Sequence, residues 1–508
     1  MYADNNKRIA KNTAMLYIRM LITMGVSLYT SRIVLNKLGV EDFGLYNVVG
    51  GVVTIFSFLN NAMATSTQRY LSFEIGKKNS QKLKNIFSMS VNIHLIIALI
   101  ILVLAETVGF WFMKNYLVIP NDRMNAATWV YQFSILTIII NVISVPYNAA
   151  IISNERMNIF AYVSILEVSL KLLIVFMLGW FHMDMLILYA ILIFIVTSIT
   201  KFVYINYSVR NFPEANYNMM WDEKMFKSLL SFTGWNLWGN AASVIYTQGV
   251  NILLNIFFGP TINAARGISF QVRTAIYSFV QNFQMAMRPQ IIKYYALDDL
   301  KHMHQLIFSG SKFSFFLLYA LTLPILLETE IILKLWLKIV PNYTIIFTKL
   351  IIINVLIDSI SGTLMTAAQA TGKIKLYQSV VGGLLMLILP ISYVFLRLGF
   401  EPQITLYVSI FISIIALYSR LKIITPLINI TIMQFIKNVI PRILLTVLIS
   451  ILVPFSLRIL LSPDSLRAII LVLVSVISCV FTTYFIGINK KEQILVKENI
   501  RILKLKIK

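Results

Sequence analysis

Residues 33–39 read IVLNKLG, and residues 252–259 read ILLNIFFG. Each closes a long apolar run, and another apolar run follows its glycine. Arg69, at the far end of the run after the first copy, corresponds to Arg288 after the second, and SNERMN at 153–158 is echoed by ATGKIK at 370–375. Matches this short carry little weight singly. They share an offset of 217–220 residues, however, and a common offset is what a duplication leaves behind.

The apolar runs fill the chain. Of 508 residues, 58% are hydrophobic and only 13% charged, where a water-soluble protein carries about 25% charged residues. At roughly 20 residues per crossing, the length holds about fourteen spans, from one near 10–36 to one near 466–488, and leaves no room for a folded soluble domain. The fold class expected is therefore an all-α polytopic membrane protein. Across the offset, span 1 maps onto span 7, an odd span onto an odd one, so the two copies share one orientation and are related by an axis along the membrane normal. The expected layout is an N-terminal lobe of six helices over 1–212, a C-terminal lobe of six over 213–424, a central cavity between them, and two further helices with a basic tail over 425–508.

Lys and Arg number 44 against 21 Asp and Glu, a formal charge of +23. The basic residues gather in alternate short loops instead of one patch, which argues against nucleic-acid binding and for a topology signal. Under the positive-inside rule both termini lie in the cytoplasm. Lys7, Arg8 and Lys11 precede a first run that lacks a cleavage-site pattern and reads as an uncleaved span.

Polar side chains inside spans mark protein interior or water-filled space, because hydrocarbon penalises them. Span 8 carries Arg266, Phe270, Arg273, Tyr277, Gln281, Gln284 and Arg288 at steps of three and four, which places them on one helical stripe. Span 7 carries Asn236, Asn240, Ser243, Thr247, Asn251 and Asn255; span 1 offers Arg19, Thr23, Ser27 and Thr30 with Arg32 near its end, and span 2 offers Thr54 and Asn61. Two repeat-related pairs of spans are thus the polar-faced ones. Arg19, Arg32, Arg266 and Arg273 bring positive charge that a guanidinium cannot shed, with no carboxylate on the same stripes. Such a surface suits a phosphate or another anion. With Asn61, Asn240, Tyr277, Gln281 and Gln284 they form the candidate substrate-binding set. Asp358 in span 10 and Glu106 in span 3 are candidate ion-coupling acids, and Glu167 with Lys171 has the spacing of a neutralising helical pair. Pro146 and Gly362 interrupt spans 4 and 10, where a helix can bend or pack closely.

Other chemistries lack their residues. One cysteine, Cys479, excludes an intramolecular disulfide. No glycine-rich phosphate loop with its lysine is present, and the histidines show no metal-ligand spacing, so neither a metal nor an organic cofactor is expected. Short outer loops argue against a membrane glycosyltransferase or polymerase, and the chain reads as a transporter instead of an enzyme.

The stretches at 12–53 (NTAMLYIRMLITMGVSLYTSRIVLNKLGVEDFGLYNVVGGVV), 60–79 (NNAMATSTQRYLSFEIGKKN) and 146–172 (PYNAAIISNERMNIFAYVSILEVSLKL) resemble the bacterial polysaccharide, O-antigen type, flippases. These are the polysaccharide transporter branch of the multidrug/oligosaccharidyl-lipid/polysaccharide exporter superfamily. The resemblance covers most of the chain as a whole pattern, without one diagnostic motif. It implies two six-helix bundles with two additional C-terminal helices, alternating access, and location in the bacterial cytoplasmic (inner) membrane. It implies an undecaprenyl-diphosphate-linked oligosaccharide as substrate, surface-polysaccharide (O-antigen, lipopolysaccharide) synthesis as the process, membrane lipids and other polysaccharide-assembly membrane proteins as partners, and H+ or Na+ as a coupling ion. Sister branches leave two alternatives open: a cation-coupled multidrug exporter and a peptidoglycan lipid precursor flippase.

Overall fold

A computed structural model describes the backbone of residues 2–56, 79–154, 156–178, 183–490 and 492–494, plus 67, 70, 71, 74, 75 and 180, with side chains except at 2–19, 231–240 and some isolated positions. Every described element is helical. In chain order they are α1 (Tyr2–Thr54), α2 (Ser80–Leu104), α3 (Phe110–Tyr116), α4 (Met124–Ile143), α5 (Val145–Ser153), α6 (Met157–Met177), α7 (Met185–Asn211), α8 (Glu223–Phe258) and α9 (Pro260–Ala296). There follow α10 (Leu300–Leu327), α11 (Thr329–Trp336), α12 (Thr344–Ser359), α13 (Gly362–Thr371), α14 (Lys375–Arg397), α15 (Ile404–Leu427), α16 (Ile432–Leu460) and α17 (Ser465–Thr482). Among the described residues, nine helices are long and apolar enough to cross a membrane, and the protein is a multi-pass membrane protein.

The paired glycines that open the sequence reading are paired in conformation. Gly39 breaks α1 with φ 80° and ψ 172°, and Gly259 separates α8 from α9 with φ 76° and ψ −175°. This region of backbone space is open essentially to glycine alone, so in each copy one residue turns the chain between two helices. The connection at 258–261 expected from hydropathy shrinks to that single residue. Pro260, with its fixed φ and missing N–H, restarts the second copy at the first helical position. The interruptions of spans 4 and 10 repeat too. Ser144 parts α4 from α5, and Ile360 with Ser361 parts α12 from α13, so the two serines lie 217 residues apart. Both breaks fall within two residues of Pro146 and Gly362.

The chain forms two compact units, one of residues 1–267 with 337–342 and 396–402, the other of 268–336, 343–395 and 403–508. In the first, α4 packs on α7 and on α2, and α1 packs on α6. Tyr131 of α4 is fully buried and donates its hydroxyl to the carbonyl of Ala105, in the π turn Ala105–Gly109 between α2 and α3. Toward one end of this unit, Arg123 grips two carboxylates. Its Nε and Nη2 donate to Asp42 at 2.8 and 2.6 Å, and its Nη1 donates to Asp184 at 2.5 Å. Asp184 also caps α7, accepting from the backbone N–H groups of Leu186 and Ile187. Asp42, Arg123 and Asp184 all belong to connections expected on the same side of the membrane.

In the second unit α10 is central, packed against α12, α13, α16 and α17. The last two helices have the least buried span windows of the nine, 22% and 17%, which agrees with lipid-facing additions. They are nonetheless pinned by charge, at the C-terminal end of α10 and midway along it. Glu328, 3% exposed, lies 2.9 Å from Arg467 and 3.5 Å from Arg458. Lys312, 2% exposed within α10, reaches Glu492 beyond α17 at 2.8 Å, and Ser309 donates to the other oxygen of that carboxylate. Burial pushes the Glu492 carboxyl up, but the hydrogen bonds from Lys312 and Ser309 outweigh it and hold it below its usual value.

Two stability outcomes follow from these contacts. A Cβ at Gly39 meets nothing within 4 Å, so Gly39→Ala isolates backbone strain and costs about 1–3 kcal/mol. The control Gly383→Ala, with equal space and no positive φ, is neutral or gains roughly 0.5–1 kcal/mol. Thermal unfolding of the purified protein in detergent reads both. By the same assay Lys312→Met costs about 3–5 kcal/mol by stranding Glu492, whereas Lys312→Met with Glu492→Leu recovers most of that loss.

Candidate functional site

The span 8 stripe lies on one continuous helix, α9, so its members do share a face. That face meets different surroundings along its length. Arg266 belongs to the first unit and is 3% exposed, with Nη2 donating to the Thr247 carbonyl of α8 at 3.1 Å. Around it the asparagines act as glue. Asn263 donates to the Asn251 carbonyl at 2.6 Å and to its side-chain oxygen at 2.9 Å, and Asn251 donates to the Asn47 carbonyl of α1 at 3.3 Å. Asn255 accepts from the Val118 N–H at 2.8 Å. A Cβ on Gly44 would lie 1.9 Å from the Pro260 carbonyl oxygen, so that glycine lets α1 and α9 touch backbone to backbone. On α1, Thr23, Thr30 and Thr54 donate to carbonyls of their own helix.

Further along α9, in the second unit, the stripe turns into a charge cluster. The Arg273 guanidinium lies between two rings of its own helix, 5.5 Å from Phe270 and 5.9 Å from Tyr277. Both are within cation–π reach. Asp358 of α12 is within electrostatic range of Arg273 and of Arg420, and one turn before it Asn354 donates to the Ser413 hydroxyl of α15 at 3.0 Å. Arg420 is 7% exposed and donates through Nη1 to the Ser361 hydroxyl at 3.1 Å, at the break between α12 and α13. Its Nε has no acceptor. Tyr277 is within electrostatic range of Asp358, Arg273, Arg420 and Arg288 together. Among the described residues, no carboxylate comes within ion-pairing distance of Arg273 or Arg420.

The remaining candidates divide. Gln284 is buried, donating to the Ser314 hydroxyl and the Ser359 carbonyl at 3.1 Å each, which ties α9 to α10 and α12. Gln281 and Arg288 are exposed, and Arg32 is partly buried. Glu106 is exposed in the π turn and accepts from Gln132 at 3.2 Å. Glu167 and Lys171 do pair, at 2.6 Å, with Lys201 of α7 in electrostatic range. Arg19, Asn61 and Asn240 lie outside the residues whose side chains are described. The residue that sequence reading missed is Arg420, which lies near the end of an apolar run and beside Lys422. It shares a helical face with Ser409 and Ser413, the periodic signal that would have placed it inside α15.

Chemically, this cluster can bind an anion. Two guanidiniums offer planar donor forks, hydroxyls and a ring surround them, and one carboxylate opposes them. Among the described residues no group of three or more His, Cys, Asp or Glu could hold a metal ion.

By sequence, no family model and no curated protein matches the chain. Solved structures match its fold. One is an inward-facing multidrug resistance MATE family transporter of the MOP superfamily, with a TM-score of 0.68 at 12% identity over 82% of this chain and 98% of that one. A second is the lipid II flippase MurJ in its inward closed conformation, with a TM-score of 0.69 at 12% identity over 92% and 97%. A third is a MOP superfamily transporter from Pyrococcus furiosus, described as having a binding pocket of reverse polarity, with a TM-score of 0.54 at 15% identity over 82% and 96%. The chain thus has the fold of MOP superfamily transporters, a group that includes both drug exporters and a lipid flippase.

Gln284 separates a packing role from a binding one. A Cβ on Gly362 would fall 2.1 Å from its side-chain oxygen. Gly362→Ala is expected to displace Gln284 from both acceptors and destabilise the protein by about 1–3 kcal/mol. Adding Gln284→Ala should return most of that loss, which a double-mutant cycle in thermal unfolding measures.

Proposed function

We propose that the protein is a flippase for an anionic lipid, an undecaprenyl-diphosphate-linked oligosaccharide, turned across the cytoplasmic membrane for surface-polysaccharide synthesis. The observation that carries this reading is the sign of the charge held inside the second unit. Among the described residues, Arg273 and Arg420 face one carboxylate, Asp358, without an ion-pairing contact, so the cluster keeps net positive charge beside the candidate spans Thr344–Thr371 and Ile404–Leu427. Arginine in hydrocarbon is expensive, about 2.5–3.5 kcal/mol at a span's centre even on the most lenient scale, and a diphosphate headgroup would offset such an expense during each passage.

In this mechanism the diphosphate and the first sugars approach the guanidiniums, Phe270 and Tyr277 offer flat faces to a sugar ring, and the prenyl chain stays in lipid. The lobes of 1–212 and 213–424 rock to present the site to either side, driven by H+ or Na+. The sequence resemblance to polysaccharide flippases supports this reading, and so does the presence of a lipid flippase among proteins of the same fold. A cation-coupled multidrug exporter is the rival, because MATE transporters share the fold as well. Such an exporter needs a cavity of opposite sign.

Proteoliposomes loaded with a labelled prenyl-diphosphate sugar test the proposal. Wild-type protein should carry the label between leaflets, and Arg273→Ala should abolish transfer while inserting normally. Transfer of organic cations in place of the lipid would establish the rival.

A further inference from the structure

The duplication allows each unit to be held against the other. At the 217-residue offset that relates the two breaks, Asp358 corresponds to Asn141, and Lys201 lies two residues from the position that matches Arg420. The first unit therefore builds the equivalent bend of α4–α5 with an uncharged amide where the second has an acid, and its Lys201 sits in range of Glu167 and Lys171 instead. A carboxylate at position 358 is thus not something the shared frame needs. It is a feature of the second unit alone, and its role lies in what surrounds it.

Asn354 and Ser361, a turn on either side of Asp358, bond to Ser413 and Arg420 of α15, and Ser359 accepts from Gln284 of α9, so Asp358 lies where α12 meets both helices, within electrostatic range of Arg273 and Arg420. Beside it the Ser413 hydroxyl accepts from Asn354 at 3.0 Å. The Asp358 carboxylate fills the donor fork of neither guanidinium. Arg420 accordingly keeps a buried Nε with no acceptor, an arrangement that carries a full desolvation penalty. The carboxylate therefore lowers the electrostatic energy of the empty site while leaving the hydrogen-bond donors open. An incoming diphosphate has more oxygens and more charge, and it can satisfy forks that the carboxylate does not fill.

We propose that Asp358 is a built-in competitor of the substrate: a resident negative charge beside Arg273 and Arg420 that weakens their hold on a prenyl diphosphate and so lets the headgroup leave. The inference rests on the flippase reading and adds to it a reason for release. Without such a competitor, two desolvated guanidiniums would bind a diphosphate too tightly to turn over. Linkage sets the scale, since a competing anion at a shared site changes affinity by the coupling free energy between the two.

The test is equilibrium binding of farnesyl diphosphate to the full-length protein in detergent, with farnesol as the uncharged control. Asp358→Asn should bind farnesyl diphosphate about tenfold more tightly than wild type, leave farnesol binding unchanged, and slow release in stopped-flow displacement. Should that variant fail to fold, a charge-balanced comparison reports the same coupling. Arg420→Gln alone should lose affinity, and Asp358→Asn with Arg420→Gln should regain it. A gain with inorganic pyrophosphate as well assigns the competition to the diphosphate itself, and a gain with farnesyl diphosphate only assigns it to the lipid headgroup; both support the proposal. Unchanged or weaker binding in Asp358→Asn, an equal gain with farnesol, or equal affinity of the single and double variants would overturn it. Wild-type binding would then remain, whereas absence of prenyl-diphosphate binding in every form would remove the flippase reading too.

Discussion

A charge placed in hydrocarbon must be answered, and most of the structure can be understood as a set of answers. Lys312 is answered by Glu492, and Glu328 by Arg467 and Arg458. Both pairs are spent on holding α16 and α17 against α10, two helices whose outer surfaces are otherwise apolar. Arg123 is answered twice over, by Asp42 and Asp184. Against that pattern, Arg273 and Arg420 differ. Their neighbours are rings, hydroxyls and a carboxylate at arm's length, and among the described residues no ion pair ties either of them to another helix.

The fold was legible because its grammar is local. A common offset over IVLNKLG and ILLNIFFG pointed to duplication, and Gly39 and Gly259 carry matching backbone geometry. Interruptions flagged by Pro146 and Gly362 coincide with the breaks beside Ser144 and Ser361. What hydropathy could not supply was partnership at long range. Glu492 meets Lys312 across 180 residues of chain, and nothing in either neighbourhood announces the other.

The site was legible in part, for a related reason. Helical periodicity states which side chains share a face, and α9 honours that for Arg266, Arg273, Tyr277 and Gln284. It does not state what the face meets. Arg266 is absorbed by a carbonyl of α8, and Gln284 by α10 and the end of α12, while Arg273 and Tyr277 stand in the charge cluster. Arg420 escaped because it lies close to the end of an apolar run and beside Lys422, where a basic residue ordinarily reports only membrane orientation. The helix continues to Leu427 and draws it inside.

The one-residue turn at Gly259 bears on how the chain is built into a bilayer. Phe258 ends one helix and Pro260 begins the next, so there is no slack to thread through after the first helix has settled. The two helices must enter as a finished hairpin, and their junction offers almost no protruding peptide for a protease, an antibody or an inserted tag. Epitopes belong instead in the longer connection at 398–403, where Gly399 again turns the chain with a positive φ of 87° and Leu398 and Phe400 stand exposed.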